Sequence, residues 1–87
     1  MEKLTENTTI KTTTYCIDSD IYAGFMIDII NNDGKTYDAY IYHKNCGIKD
    51  FMYGLMQSDI NYDDFIENVS RNVADYIPGY INDYIDN

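Results

Sequence analysis

Residues Phe25–Tyr37, FMIDIINNDGKTY, decide how this chain folds. Phe25, Ile27 and Ile29 fall on one side of an extended segment and Met26, Asp28 and Ile30 on the other, a period of two that marks a β-strand with the Phe-Ile-Ile side buried. The strand runs into Asn31-Asn32-Asp33-Gly34. Asp-Gly between two β-rich runs is the strongest short hairpin signal, because both residues tolerate positive φ. Thr36–His43 is then the returning strand, with Tyr37, Ala39, Ile41 and His43 alternating against Asp38, Tyr40 and Tyr42.

Upstream of this hairpin, Ile10–Ile17 is rich in Thr and Ile and ends at the turn cluster Asp18-Ser19-Asp20, which predicts a first strand, with Ala23–Ile30 as the second. Residues 1–9 are polar and aperiodic, and are expected to be a flexible tail ahead of a single acidic domain over 10–87. Downstream the period changes. Ile48, Phe51, Met52, Leu55 and Met56 fit the spacing i, i+3, i+4, i+7, i+8, so a helix is predicted there, with Leu55 facing the sheet. Asn61, three residues before Asp64, can cap a second helix whose apolar face is Phe65, Ile66, Val69, Val73, Tyr76 and Ile77. Pro78-Gly79 should kink or end it, with a last turn or two carrying Tyr80 and Tyr84. The expected class is α+β: a three-stranded antiparallel sheet with two to three helices packed on one face, in the order βββαα.

Eighty-seven residues make one core, and the apolar fraction of 45% is ordinary for a folded domain. Fifteen Asp and Glu against six Lys and Arg give a formal charge of −9. That balance disfavours direct binding to nucleic acid or to anionic membrane and favours basic surfaces, such as those that hold a phosphate backbone. The chain has no run of about 18 apolar residues, and its first eleven residues lack the apolar stretch of a signal peptide, so a cytosolic protein without a membrane span is expected.

Catalytic chemistry finds thin material. Asp63 and Asp64 are adjacent, so they diverge by about 100° on a helix and cannot flank a substrate as paired carboxylates do. A negative pair at a helix start is explained by the macrodipole. Cys46 stands near His43 in sequence and ahead of the first predicted helix, which is the weakest of outlines for a Cys–His pair. His43 has no HxxxH or CxxC partner at ligand spacing, and no phosphate-binding glycine loop is present. Neither an enzyme nor a metal or cofactor site is expected. What the sequence offers is carboxylates on turns, helix starts and one sheet face, Asp18, Asp20, Asp28, Asp33, Asp38, Asp59, Asp63, Asp64, Glu67 and Asp75 among them, whose oxygens, gathered on one side, could occupy an Arg/Lys-rich groove. Ten Tyr, with three Phe and no Trp, suit either a core or an interface.

The hairpin FMIDIINNDGKTY, followed by an acidic helix start at Asp63-Asp64-Phe65, resembles the small acidic phage anti-CRISPR proteins that inhibit the type II-A RNA-guided DNA nuclease. The resemblance covers roughly half to two-thirds of the chain, and its motifs are common ones. It implies an inhibitor acting in the host cytoplasm, an acidic DNA mimic that binds a CRISPR effector nuclease or another basic nucleic-acid-binding protein and blocks its DNA-binding surface. By position, Asp33 and Gly34 match the family's contact turn and Asp63 and Asp64 its acidic helix start; Asp38, Asp59 and Glu67 complete the expected partner-binding set. Lys35-Thr36 departs from the family's neutral-acidic pair, and residues 1–9 give no sign of the family's N-terminal helix. The competing expectation is an antitoxin-like or adaptor module that docks through its C-terminal Tyr/Ile helix, with Tyr76, Tyr80 and Tyr84 as a core row, a dimer seam or the docking face.

Overall fold

In the computed structural model, which describes residues 2–7, 11–17 and 19–86, the hairpin predicted from Asp-Gly is the middle of the sheet. Strands β3 (Phe25–Asn32) and β4 (Thr36–His43) pair from Phe25 opposite His43 to Asn32 opposite Thr36. Asp33 and Gly34 both adopt positive φ, 54° and 77°, and the Lys35 N–H donates to the Asn32 carbonyl at 2.9 Å. Phe25, Ile27 and Ile29 are buried as the alternation requires.

The class is α+β, as expected, but the elements differ in number. Five antiparallel strands lie in sequence order: β1 (Glu2–Asn7), β2 (Thr12–Cys16), β3, β4 and β5 (Asp50–Met56). One helix, α1 (Tyr62–Tyr80), follows and passes directly into a π-helical turn, Ile81–Ile85. Glu2–Asn7 was expected within a flexible tail and is a strand instead, paired with the β-branched run Thr12-Thr13-Thr14 of β2. Ile10, the predicted start of β2, lies outside the described residues, as does Asp18.

The largest correction is β5. The segment predicted as a helix through Phe51, Met52, Leu55 and Met56 is extended and hydrogen-bonded to β4, with Tyr37 opposite Leu55 and Tyr40 opposite Phe51. Only Met52 of that predicted apolar face is buried; Leu55 is 36% exposed and is no core residue. Pairing satisfies the outer backbone groups of β4, which a helix at this point would leave bare. Gly54 makes the pairing possible, since a Cβ there would collide with the Asp38 carboxylate and stand 3.1 Å from the Tyr37 carbonyl. A register shift between Ala39 and Tyr40 marks a bulge, and after it Phe51 and Tyr53 face opposite sides of the sheet.

Helix α1 begins where Asn61 caps it, its side chain accepting from the Asp64 N–H at 2.9 Å. Phe65, Val69, Val73, Ile77 and Tyr80 form the buried stripe and pack on one face of the sheet. The Phe65 ring meets Tyr37 and Tyr53, at centroid distances of 5.4 and 5.6 Å. Of the two outcomes expected at Pro78-Gly79, a kink or an end, the end does not occur, and the expected last turn carrying Tyr84 follows as a π turn. Pro78 removes the bond that the Ala74 carbonyl would accept, but Ala74 and Pro78 are both exposed, so water can take its place. Beyond it Tyr80 is fully buried, edge-on to Phe25 at 5.7 Å, with its hydroxyl bonded to the Ile48 carbonyl. Anchored there, the chain relaxes into the π turn, where the Asp86 N–H reaches the Ile81 carbonyl at 2.8 Å.

Candidate partner-binding surfaces

The predicted binding residues separate into three places. Asp33 stands at the tip of the β3–β4 turn, 87% exposed and 3.0 Å from Lys11 Nζ. Gly34 follows it with open space around its α-carbon, and its N–H donates to Asn31 Oδ1 at 3.1 Å. The chain leaves β5 at this same end: the Gln57 N–H donates to the Lys35 carbonyl at 2.9 Å, and the Gln57 side chain donates to Asn31 Oδ1 at 2.7 Å. Exposed Asp59 lies in the connection that follows, and Asp63 and Asp64 occupy the exposed first turn of α1. Tyr62 fastens that turn to the sheet, its hydroxyl 2.7 Å from that of Tyr15 and its ring against Tyr37. Asp33, Gly34, Asp59, Asp63 and Asp64 are thus carried to one end of the molecule by three connections that the sheet brings together. Lys11 and Lys35 are the cations among them.

Asp38 and Glu67 are not part of that group. Glu67 is a turn further along α1, exposed and 3.3 Å from Arg71. Asp38 is half-buried on the sheet face opposite the helix, accepts from the Asn32 side chain at 2.6 Å and leans over Gly54. Asp28 is removed from the solvated carboxylates altogether, being 3% exposed.

That second sheet face was not anticipated. Met26, Ile30, Tyr40, Tyr42, Phe51 and Met56 point to it, and no helix of the described residues covers it. At its centre Asp28 is held by three groups, from β2, from β4 and from the residue before β5: Thr14 Oγ1 donates at 2.7 Å, the Tyr42 hydroxyl donates at 3.2 Å, and Lys49 Nζ lies 2.7 Å away. Lys49 also stands over the Tyr42 ring, 5.4 Å from its centroid. Burial, with the Asp28 charge beside it, raises the pKa of Tyr42; the hydrogen bond to Asp28 raises that of Lys49. The sequence signal was present in Met26-x-Asp28-x-Ile30, a carboxylate framed by apolar residues, which a solvated strand face does not explain. Assigning Ile48–Met56 to a helix hid it, because Lys49 then belonged to another layer.

At the opposite end, His43, Asn45, Cys46, Tyr84 and Ile85 line a shallow cleft of about 350 Å³. The Cys46 thiol points to the Tyr84 carbonyl at 3.7 Å. His43 Nδ1 accepts from the Asn45 N–H at 3.2 Å, its ring is edge-on to Phe25, and a Cβ on Gly24 would touch Nε2 at 2.5 Å. Both ring nitrogens therefore face neighbours other than the thiol, which is not the arrangement of a base and its nucleophile. Among the described residues no three His, Cys, Asp or Glu side chains converge as metal ligands, and no helix is long and apolar enough to cross a membrane.

No protein-family model, curated protein or solved structure matches the chain.

Proposed function

We propose that this protein is an acidic binding protein that works by occupying a basic nucleic-acid-binding surface, its carboxylates taking the places of phosphates. The observation that carries the reading is the gathering of exposed Asp33, Asp59, Asp63 and Asp64 at the end where the β3–β4 turn, the β5 exit and the start of α1 meet, in a chain of net charge −9. Carboxylates on short turns and a capped helix start are preorganised, so little ordering entropy is lost when a row of Arg and Lys closes on them. The Phe25–Tyr37 resemblance to anti-CRISPR proteins directs the proposal to a type II-A CRISPR effector as the partner and to blockade of its DNA-binding channel as the action. The likeness rests on Asp33-Gly34 and Asp63-Asp64 by position, and it departs at β5, a strand where the resemblance implies a helix.

The adaptor alternative has lost much of its surface. Ile77 and Tyr80 belong to the core, and Tyr76 is half-buried with its hydroxyl 3.4 Å from the Met52 carbonyl, so this part of the Tyr/Ile row packs inward and Ile85, 42% exposed, is what the row leaves to solvent.

The test is competition. Guide-loaded effector is titrated with labelled target duplex in the presence of the protein, and the expected result is displacement of DNA at one protein per effector. Binding to the effector without loss of DNA, or no binding at low salt, overturns the proposal for this partner. The same titration with other basic nucleic-acid-binding proteins then asks whether occupancy of a phosphate channel is the action at all.

A further inference from the structure

We infer that the uncovered face of the sheet is a self-association surface, on which a second copy of this chain packs sheet to sheet. Two observations select the second copy as occupant. The first is charge. Approach of two chains of net charge −9 is opposed almost everywhere, most of all across the outer side of α1 with Asp63, Asp64, Glu67 and Asp75. Among the described side chains on the open face of β2–β5 the acidic ones are Asp28, paired with Lys49 at 2.7 Å, and Asp38, turned into its own sheet by Asn32 at 2.6 Å. This is the side on which two copies can meet with least repulsion, and a basic partner would find little there to hold it.

The second observation is area. Four strands about seven residues long, about 4.8 Å apart and rising about 3.3 Å per residue, cover on the order of 450 Å² of flat surface. Two such faces bury on the order of 1,000 Å² once side-chain relief is added, which is where specific interfaces begin. The surface is furnished for it: Phe51 is 51% exposed, Met56 is 58% exposed, and Tyr40 lies ring to ring with Phe51 at 5.4 Å. Stacked faces sit about 10 Å apart with side chains interdigitating, and methionines and tyrosines suit such a layer.

This surface is separate from the acidic end, and salt tells the two apart. Screening weakens binding of carboxylates to a basic groove, whereas it relieves the repulsion between copies and strengthens dimerisation. Sedimentation equilibrium from micromolar to millimolar chain is expected to show one chain per particle at low salt and low concentration and two at high salt. Replacing Phe51 and Met56 together by Glu should weaken association by about tenfold or more, because the new carboxylates face each other across the seam. Ile21→Glu, on the exposed β2–β3 connection, should leave it unchanged. Should the double variant fail to fold, dilution of the unmodified protein gives the answer by methyl NMR, with the Met26 and Met56 signals moving and that of buried Met52 staying. A monomer at every concentration and salt overturns the inference, as does a dimer whose Met26 and Met56 signals ignore dilution.

Discussion

Asp28 lies near the middle of β3, 3% exposed, where an unpaired carboxylate would cost several kcal/mol, and three donors from β2, β4 and the residue before β5 meet it there. The partners are unequal. Lys49 is half in water, so losing it removes one favourable contact and leaves the buried Asp28 side chain with its two hydroxyl donors. Lys49→Met is therefore expected to cost about 1–3 kcal/mol in urea melts, and Asp28→Asn added to it should restore part of that loss, since the amide carries no charge to compensate. An additive double variant would mean that the two groups do not interact. Alkali gives an independent check. Lys49 is held protonated by Asp28, and Tyr42 is kept neutral by burial and by Asp28, so both pKa values are raised above 10.5 and 10.0. Groups with raised native pKa contribute stability that is complete below the unfolded values and lost as pH rises through the native ones. Stability attributable to this cluster should hold through neutral pH and fall above about pH 10, and the fall should be shallower in the Lys49→Met variant. At the other kind of site, Asp33→Asn is expected to change stability by less than about 1 kcal/mol, because its Lys11 pair is exposed and asparagine tolerates the positive φ of 54°. If Asp33 contacts the partner, that variant binds more weakly with an unchanged melt.

Among the elements, β5 and α1 show what periodicity can and cannot decide. Phe51-Met52-Tyr53-Gly54-Leu55-Met56 satisfies a helical spacing, yet it is also a short, nearly continuous apolar run bounded by Lys49-Asp50 and by Gln57-Ser58-Asp59. Spacing alone cannot separate the two in so short a run. Length, aromatic content and the internal glycine favour a strand, and the need of β4 for a second neighbour settles it. The expected consequence is that Met52→Ala costs about 2–5 kcal/mol while Leu55→Ala costs well under half as much, since burial now belongs to Met52. Equal losses at both positions would show that β5 presents a different face. The β3–β4 hairpin was legible because Asp33-Gly34 fixes its register chemically, and the start of α1 because Asn61 and Asp64 fix a cap. Glu2–Asn7 was not legible: its sequence, EKLTEN, has no apolar alternation, and its pairing depends on the Thr run of β2 being there first. Likewise the passage of α1 through Pro78 depends on Tyr80 finding Phe25 and the Ile48 carbonyl, contacts remote in sequence.

For the whole molecule, the fold divides charge from apolar surface. The acidic residues of the candidate site came from separate segments, and sequence reasoning named them singly without being able to place them together; Asp38 and Glu67 were named with them and lie apart. On the proposed reading, Asp63 and Asp64 supply carboxylates to a basic groove, and the substitution that tests this must spare the helix. Lysine at these positions would set positive charge against the helix start and cost about 0.5–2 kcal/mol by itself, whereas asparagine keeps a polar side chain there and leaves the Asn61 cap in place. Asp63→Asn with Asp64→Asn is therefore expected to melt within about 1 kcal/mol of the parent. Its displacement of DNA from the effector should fall several-fold at low salt, and the gap from parent should close as salt rises, because screening removes from the parent what the substitution has already removed from the variant. Asp75→Asn, on the same helix about three turns away, alters net charge without touching the acidic end and serves as the control. If the double variant competes as well as the parent, the two carboxylates serve only the helix start. A loss at Asp75 as large as theirs would make the effect one of total charge, with no role for the end where the turns meet.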